Sequence, residues 1–237
     1  MGFFASSGIL NRRGFFGGVA TTAPFSPANI TGLALWLKPD AGLNSTGGVV
    51  TQWTDQSGAG NNFSQDMDYL ANVESGVING YSAVLFEGGR LNGSSDIVTG
   101  KTIYAVVKAL GTQPSQYAAI LECTGGGLYS AILDNEWGSY FNTEIQSYNS
   151  LATNTPAIIA TLSDDGEEYE FSKNGSSVLS GSNGQGFFSR SASYLGNDGS
   201  GTQPANVYIS EIIVYDNVPS PANIALLETY LLTKYDI

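Results

Sequence analysis

The stretch "EYEFSKNGSSVL" (Glu168 to Leu179) constrains this chain more than any other part of it. Tyr169 and Phe171 alternate with Glu168 and Glu170, a period of two that puts acids on the wet face of a strand and rings on its core face. Asn174-Gly175 follows and supplies the positive φ angles of a tight hairpin turn. Short apolar runs of the same kind recur along the chain: "LALWL" (Leu33 to Leu37), "VVTQW" (Val49 to Trp53), "YSAVLF" (Tyr81 to Phe86) and "TIYAVV" (Thr102 to Val107). "AAILE" (Ala118 to Glu122) and "AIIATL" (Ala157 to Leu162) continue the series. "NVYISEIIVYD" (Asn206 to Asp216) is long and mostly apolar, which suits a central strand. Glycine and Asn/Asp/Ser clusters separate these runs at short intervals, as a sandwich requires. The expected fold is all-β, with two antiparallel sheets.

Only the C-terminus leaves the period of two. In "SPANIALLETYLLTKYDI", Ser220 is a good N-cap and Pro221 occupies the first helical position. Ile224, Leu227 and Leu231 fall on one face at helical spacing, with Tyr230 flanking them. The stripe is narrow, so the helix is expected to clasp its own domain rather than reach for a partner.

Composition excludes several functions. The chain has 237 residues, no histidine and one cysteine, Cys123. Histidine triads and zinc sites with histidine ligands are therefore impossible, and no internal disulfide framework can form. All 21 acids lie after Pro27. Residues 29–237 hold seven Lys/Arg against those 21 acids, a formal −14, while residues 1–28 carry +2. An acidic body argues against nucleic-acid backbones, which need clustered Lys/Arg.

The basic segment is the leader "MGFFASSGILNRRGFFGG", which crowds Phe3, Phe4, Phe15 and Phe16 around Arg12 and Arg13. Its arginines come after the first apolar patch, unlike the n-region of a secretory signal. No run in the chain approaches the roughly 20 apolar residues of a membrane span. Two "GFF" units suit an extended peptide that places paired rings into pockets of a partner. Residues 1–28 are therefore expected to be a docking arm and linker, and residues 29–237 a folded domain.

"LALWLKPDAGL", "WTDQSGAGNNFSQ", "FSKNG" and "SEIIVYDNVPSPANIALLETYLLTKYDI", in this order, resemble the concanavalin A-like lectin/glucanase superfamily, in its LamG-like jelly-roll branch. The resemblance covers nearly all of the chain after the arm. It implies a jelly-roll sandwich of the kind found in bacterial surface proteins and bacteriophage virion proteins. The leader, with "ASSGIL", is similar to short leaders of some phage tail and virion proteins. The expectation that follows is a non-enzymatic phage structural protein on a tail, fibre or capsid surface. Its arm would dock to other virion proteins and its jelly-roll would meet host-surface polysaccharide. The alternative is a decoration or cement protein with no glycan affinity. A trimer, usual for phage fibres, is compatible with either, and neither needs nucleic acid or a membrane.

Three stretches carry candidate chemistry. In "WTDQSGAGNNF", Asp55 ahead of Ser57-Gly58 can hold a tight turn, and this reading is preferred. The rival reading makes Asp55, Asn61 and Asn62 oxygen ligands of calcium, which some proteins of this fold bind. Calcium thus stays open as a cofactor. Hydrolases of this fold line up carboxylates along one strand, and no such motif occurs. The nearest pair, Glu211 and Asp216, is five residues apart and points to opposite faces, so catalytic residues are expected to be absent. The strongest binding candidate is "GGGLYSAILDNEWGSYFNTEIQSYNS" (Gly125 to Ser150). It gathers Trp137, Tyr140 and Tyr148 with Asp134, Asn135 and Glu136, flat rings and polar groups of the kind a sugar needs. Trp137, between "DNE" and Gly138, is expected to be an exposed ring in a turn.

Overall fold

The computed structural model describes residues 24–94, 97, 102–111, 113–114, 117–122, 130–133, 136–141, 144–149, 151–163, 168–182 and 192–237. The arm residues Phe3, Phe4, Arg12, Arg13, Phe15 and Phe16 lie outside the described residues.

In chain order, the described strands begin with β1 (Leu33–Leu37), β2 (Leu43–Thr46), β3 (Val49–Trp53), β4 (Phe63–Gln65), β5 (Asn72–Ile78) and β6 (Tyr81–Glu87). They continue with β7 (Leu91–Gly93), β8 (Thr102–Ala109), β9 (Ala118–Glu122), β10 (Ser130–Leu133), β11 (Glu136–Phe141) and β12 (Glu144–Asn149). β13 (Pro156–Leu162), β14 (Glu168–Lys173), β15 (Ser176–Ser182), β16 (Tyr194–Leu195), β17 (Asn206–Tyr215) and helix α1 (Pro221–Tyr235) follow. The pairings among them are antiparallel and resolve into two layers. One runs β15–β14–β13–β8–β17, and β17 then divides between β1 and β6, with β5 beyond β6. The other runs β2–β3–β4–β7–β16–β9–β10–β11–β12. A single pairing, Val49 with Asn72, joins the layers at one edge.

The alternation read from "EYEFSKNG" holds. Glu168 and Glu170 are exposed, Tyr169 is half-buried, and Phe171 is fully buried. Asn174 and Gly175 turn the β14–β15 hairpin with φ of 50° and 73°. "TIYAVV" and "NVYISEIIVYD" read as unbroken apolar runs because β8 and β17 are buried on both faces. From β8, Ile103, Ala105 and Val107 enter the core between the layers, while Tyr104 and Val106 enter a second core beneath α1.

The clasp forms as the sequence predicts. Ser220 Oγ accepts the Asn223 N–H, Pro221 opens the helix, and Leu227, Leu231 and Tyr235 are fully buried against the first layer. Burying each such side chain stabilises the clasp by about 1.5–3 kcal/mol. Phe25 meets Tyr230 edge-on, and the Tyr215 hydroxyl donates to the Pro27 carbonyl, so the chain enters the fold along this helix.

A bulge in β17 decides what else lies there. The register with β8 shifts between Ile209 and Glu211. A bulge spends one extra residue, so Ser210 and Glu211 both face α1. Glu211 is fully buried, and its carboxylate takes four donors. Trp36 Nε1 (2.7 Å) and Tyr230 Oη (2.9 Å) reach one oxygen, and Lys234 Nζ (2.8 Å) and Tyr235 Oη (2.8 Å) the other. Burial, with the Glu211 charge beside them, pushes the Tyr230 and Tyr235 hydroxyls far above the usual phenol range. The nearest approach to a catalytic carboxylate in the sequence is therefore a sealed cross-link between sheet and helix.

Candidate functional site

The structure corrects the expectation for Trp137. Its ring is fully buried in the core between the layers, 5.2 Å from the ring of Phe171. Gly138 marks no turn. β11 begins at Glu136, paired with Leu133 of β10, so Trp137 is already the second residue of a strand, opposite Ile132 and Tyr148. Alternation then carries the ring inward. Asp134 and Asn135 lie outside the described residues. Glu136 and Tyr140 are in β11 and Tyr148 in β12, and Tyr140 stands opposite Ile145. Without Trp137 this stretch has lost the ring around which a sugar site was expected.

The turn reading of "WTDQSGAGNNF" holds. Asp55 Oδ1 accepts the Trp36 and Ser57 N–H groups, and Oδ2 accepts the Ser57 hydroxyl and the Asn61 N–H. Asn62 Oδ1 takes the Asp55 N–H, and the Asn61 amide donates to the Ala34 carbonyl at 2.7 Å. The bonds to Trp36 and Ala34 tie the loop to β1, and the others close the loop on itself. A calcium ion would need about six to eight oxygens that are not already engaged in this way.

A polar cleft lies elsewhere, against the second layer. Asn92 of β7, Tyr194 of β16 and Glu122 of β9 stand side by side across three paired strands. Their neighbours Leu91, Leu195 and Leu121 fill the core, so this row occupies the opposite face. Over it folds "GNDGSGTQ" (Gly196 to Gln203). Gly196 starts that loop at φ 79°, where a Cβ would strike the ring of Phe86, so only glycine fits. The Gly199 N–H donates to Glu122 Oε2 at 2.7 Å. Asp198 folds the loop on itself: Oδ1 accepts the Thr202 and Gln203 N–H groups, and Oδ2 accepts the Ser200 and Thr202 hydroxyls. The cleft between has a volume of about 570 Å³, with Glu122, Tyr194, Asp198, Ser200, Thr202 and Gln203 on its walls.

Arg90 pins the loop from behind. Its Nε and Nη2 bond Asp66 Oδ2 at 2.8 and 2.6 Å, and Nη1 donates to the carbonyls of Asp198 and Gly199. The guanidinium sits 4.6 Å from the ring of Tyr69 and 5.3 Å from that of Tyr194. Burial works to raise both nearby carboxyls, but their hydrogen bonds win and hold them below the usual carboxylate value. For Asp66 the donors are the Asp68 N–H, Arg90 and Asn92, and for Asp198 they are Ser200 and the Gln203 and Thr202 N–H groups.

A group depressed in the folded state adds stability above its unfolded value, here 3.8, and loses it as pH falls through the folded value. The unfolding temperature is therefore expected to fall as pH drops below 3.8, and less so in Asp66→Asn or Asp198→Asn. Parallel pH profiles for the three proteins would contradict this account of the loop.

The chain matches no protein-family model and no curated protein sequence. Solved structures share its fold. The binding domain of Paraclostridial Mosquitocidal Protein 1 superposes with a TM-score of 0.64 at 10% identity, over 87% of this chain and 53% of that one. The botulinum neurotoxin type G receptor-binding domain gives 0.59 at 15% identity, over 85% and 52%. Domain 4 of the arabinanase AbnA from Geobacillus stearothermophilus, solved with arabinotriose, gives 0.57 at 14% identity, over 82% and 97%. The chain thus spans about half of each toxin chain and nearly all of the arabinanase domain. The fold is an antiparallel jelly-roll sandwich with a C-terminal helix.

Proposed function

We propose that this protein is a non-enzymatic glycan-binding module, and that its site is the cleft between Tyr194 and the Gly196–Gln203 loop. The observation that carries this reading is the composition of the cleft walls. A half-buried ring, two carboxylates, two hydroxyls and an amide converge on one hollow, and Arg90, Asp66 and Gly196 fix the loop before any ligand arrives. Sugars need an apolar face beside fixed polar partners, and order in the free protein lowers the entropy cost of binding. Two structural neighbours agree with the reading, one a receptor-binding domain and the other solved with a bound oligosaccharide.

The finer reading is that residues 1–28 hold the module on a bacteriophage tail, fibre or capsid, where its partners are other virion proteins and host-surface polysaccharide. It rests on the resemblances of the chain and on the basic, aromatic composition of the leader. The test is titration of the full-length protein against host-type polysaccharides, with and without calcium. Saturable binding is expected, and Tyr194→Ala should weaken it about tenfold or more. Binding that survives Tyr194→Ala unchanged would remove the cleft. No binding in either condition would leave a decoration protein.

A further inference from the structure

We infer that the cleft selects by charge, taking uncharged or amine-bearing sugars and turning away glycans that carry carboxylate, sulfate or phosphate; the inference rests on the glycan-binding reading above. Its basis is the direction in which the hydrogen bonds of the loop already run. The Ser200 hydroxyl donates to Asp198 Oδ2, and the Thr202 hydroxyl has both Ser200 Oγ at 2.7 Å and Asp198 Oδ2 at 3.4 Å as acceptors within the loop, so what the pair offers outward is oxygen lone pairs. Glu122 brings carboxylate lone pairs, and Asp198, whose oxygens the loop's own donors already fill, brings negative charge and no donor. The Gln203 amide and the Tyr194 hydroxyl are donors on these walls, but neither carries a positive charge, so a ligand that brings donors fits the carboxylates better than one that brings anions. Sugar hydroxyls and ammonium groups are donors. Carboxylate, sulfate and phosphate groups are acceptors, and here they would face both like charge and mismatched hydrogen bonds.

The nearby guanidinium does not reverse this balance. Arg90 spends Nε and Nη2 on Asp66 and Nη1 on two loop carbonyls, and it lies against the rings of Tyr69 and Tyr194 rather than on the cleft wall. Among the described residues lining the cleft there is no lysine or arginine. The net charge of −12 adds a weaker, longer-ranged repulsion that salt screens, whereas the two carboxylates act at contact distance and are screened much less. Arg190, two positions before Ala192, lies outside the described residues, so the test includes it.

The experiment is an array of neutral, amino-sugar and acidic oligosaccharides probed with the full-length protein. Titration calorimetry of the best member of each class follows, at about 0.15 M and about 0.5 M salt. Neutral or amino sugars are expected to bind about tenfold or more tightly than the acidic class at both salt concentrations. Glu122→Gln removes one charge and leaves a side-chain oxygen that can still accept the Gly199 N–H, so it should narrow that gap. Arg190→Gln should leave it unchanged. An acidic oligosaccharide that binds as well as the neutral class overturns the inference alone, as does a gap that Glu122→Gln leaves intact. Binding by no class of sugar overturns the glycan reading, and this inference with it.

Discussion

Glu211→Ala is expected to lower the free energy of unfolding by about 3–5 kcal/mol, the usual cost of removing one member of a buried ion pair. The loss has identifiable parts. Lys234, whose side chain is 10% exposed, would keep a charge with, among the described residues, only the exposed Asp40 at 3.6 Å to balance it. The Trp36 indole N–H and the hydroxyls of Tyr230 and Tyr235 would lose their shared acceptor, and a buried donor left unpaired costs about 1–3 kcal/mol. Urea unfolding should show the midpoint falling with an unchanged slope. Pairing Glu211→Met with Lys234→Met should recover much of the loss, because the pair is then replaced by apolar volume rather than broken. If Glu211→Ala costs under about 1 kcal/mol, the carboxylate is not the cross-link described here.

The difference between what the sequence revealed and what it hid follows from range. The β14–β15 hairpin and α1 were legible because their signals are local. Tyr169, Phe171 and Asn174-Gly175 lie within one hairpin, and Ser220, Pro221 and the Leu227/Leu231 stripe lie within one helix. The role of Glu211 was not legible, because Trp36 is 175 positions away and the bulge that turns Ser210 and Glu211 to the same side leaves no mark on composition. The cleft was hidden in a similar way. Glu122 and Tyr194 meet only because β9 and β16 pair, and "GNDGSGTQ" reads as a glycine-rich spacer until Asp198 is seen to fold it. Its one local signal was Asn197-Asp198-Gly199, a turn sequence with a carboxylate at its centre. Trp137 failed for the opposite reason. Its local signals, the polar "DNE" and then Gly138, spoke for a turn, and pairing with β10 and β12 overrode them.

That misreading sets up the second large effect. Trp137→Ala is expected to cost about 3–5 kcal/mol of stability, the usual price of deleting a large buried ring. The ring is fully enclosed and packs on Phe171, so the surrounding strands can close the space only partly. Its indole Nε1 has no hydrogen-bond partner among the described residues, so the loss expected from them is one of packing. The fraction that stays folded should bind glycan as the unaltered protein does, because no Trp137 atom lines the cleft. Tyr194→Ala should behave in the reverse way, with modest change in stability and a large change in affinity. The pair of variants, each measured by unfolding and by glycan titration below its melting temperature, therefore separates two locations for the site. If Trp137→Ala instead abolished binding with little loss of stability, the sugar would belong to the strands around positions 134–148, and the cleft at Glu122 and Asp198 would be reduced to a feature of the loop.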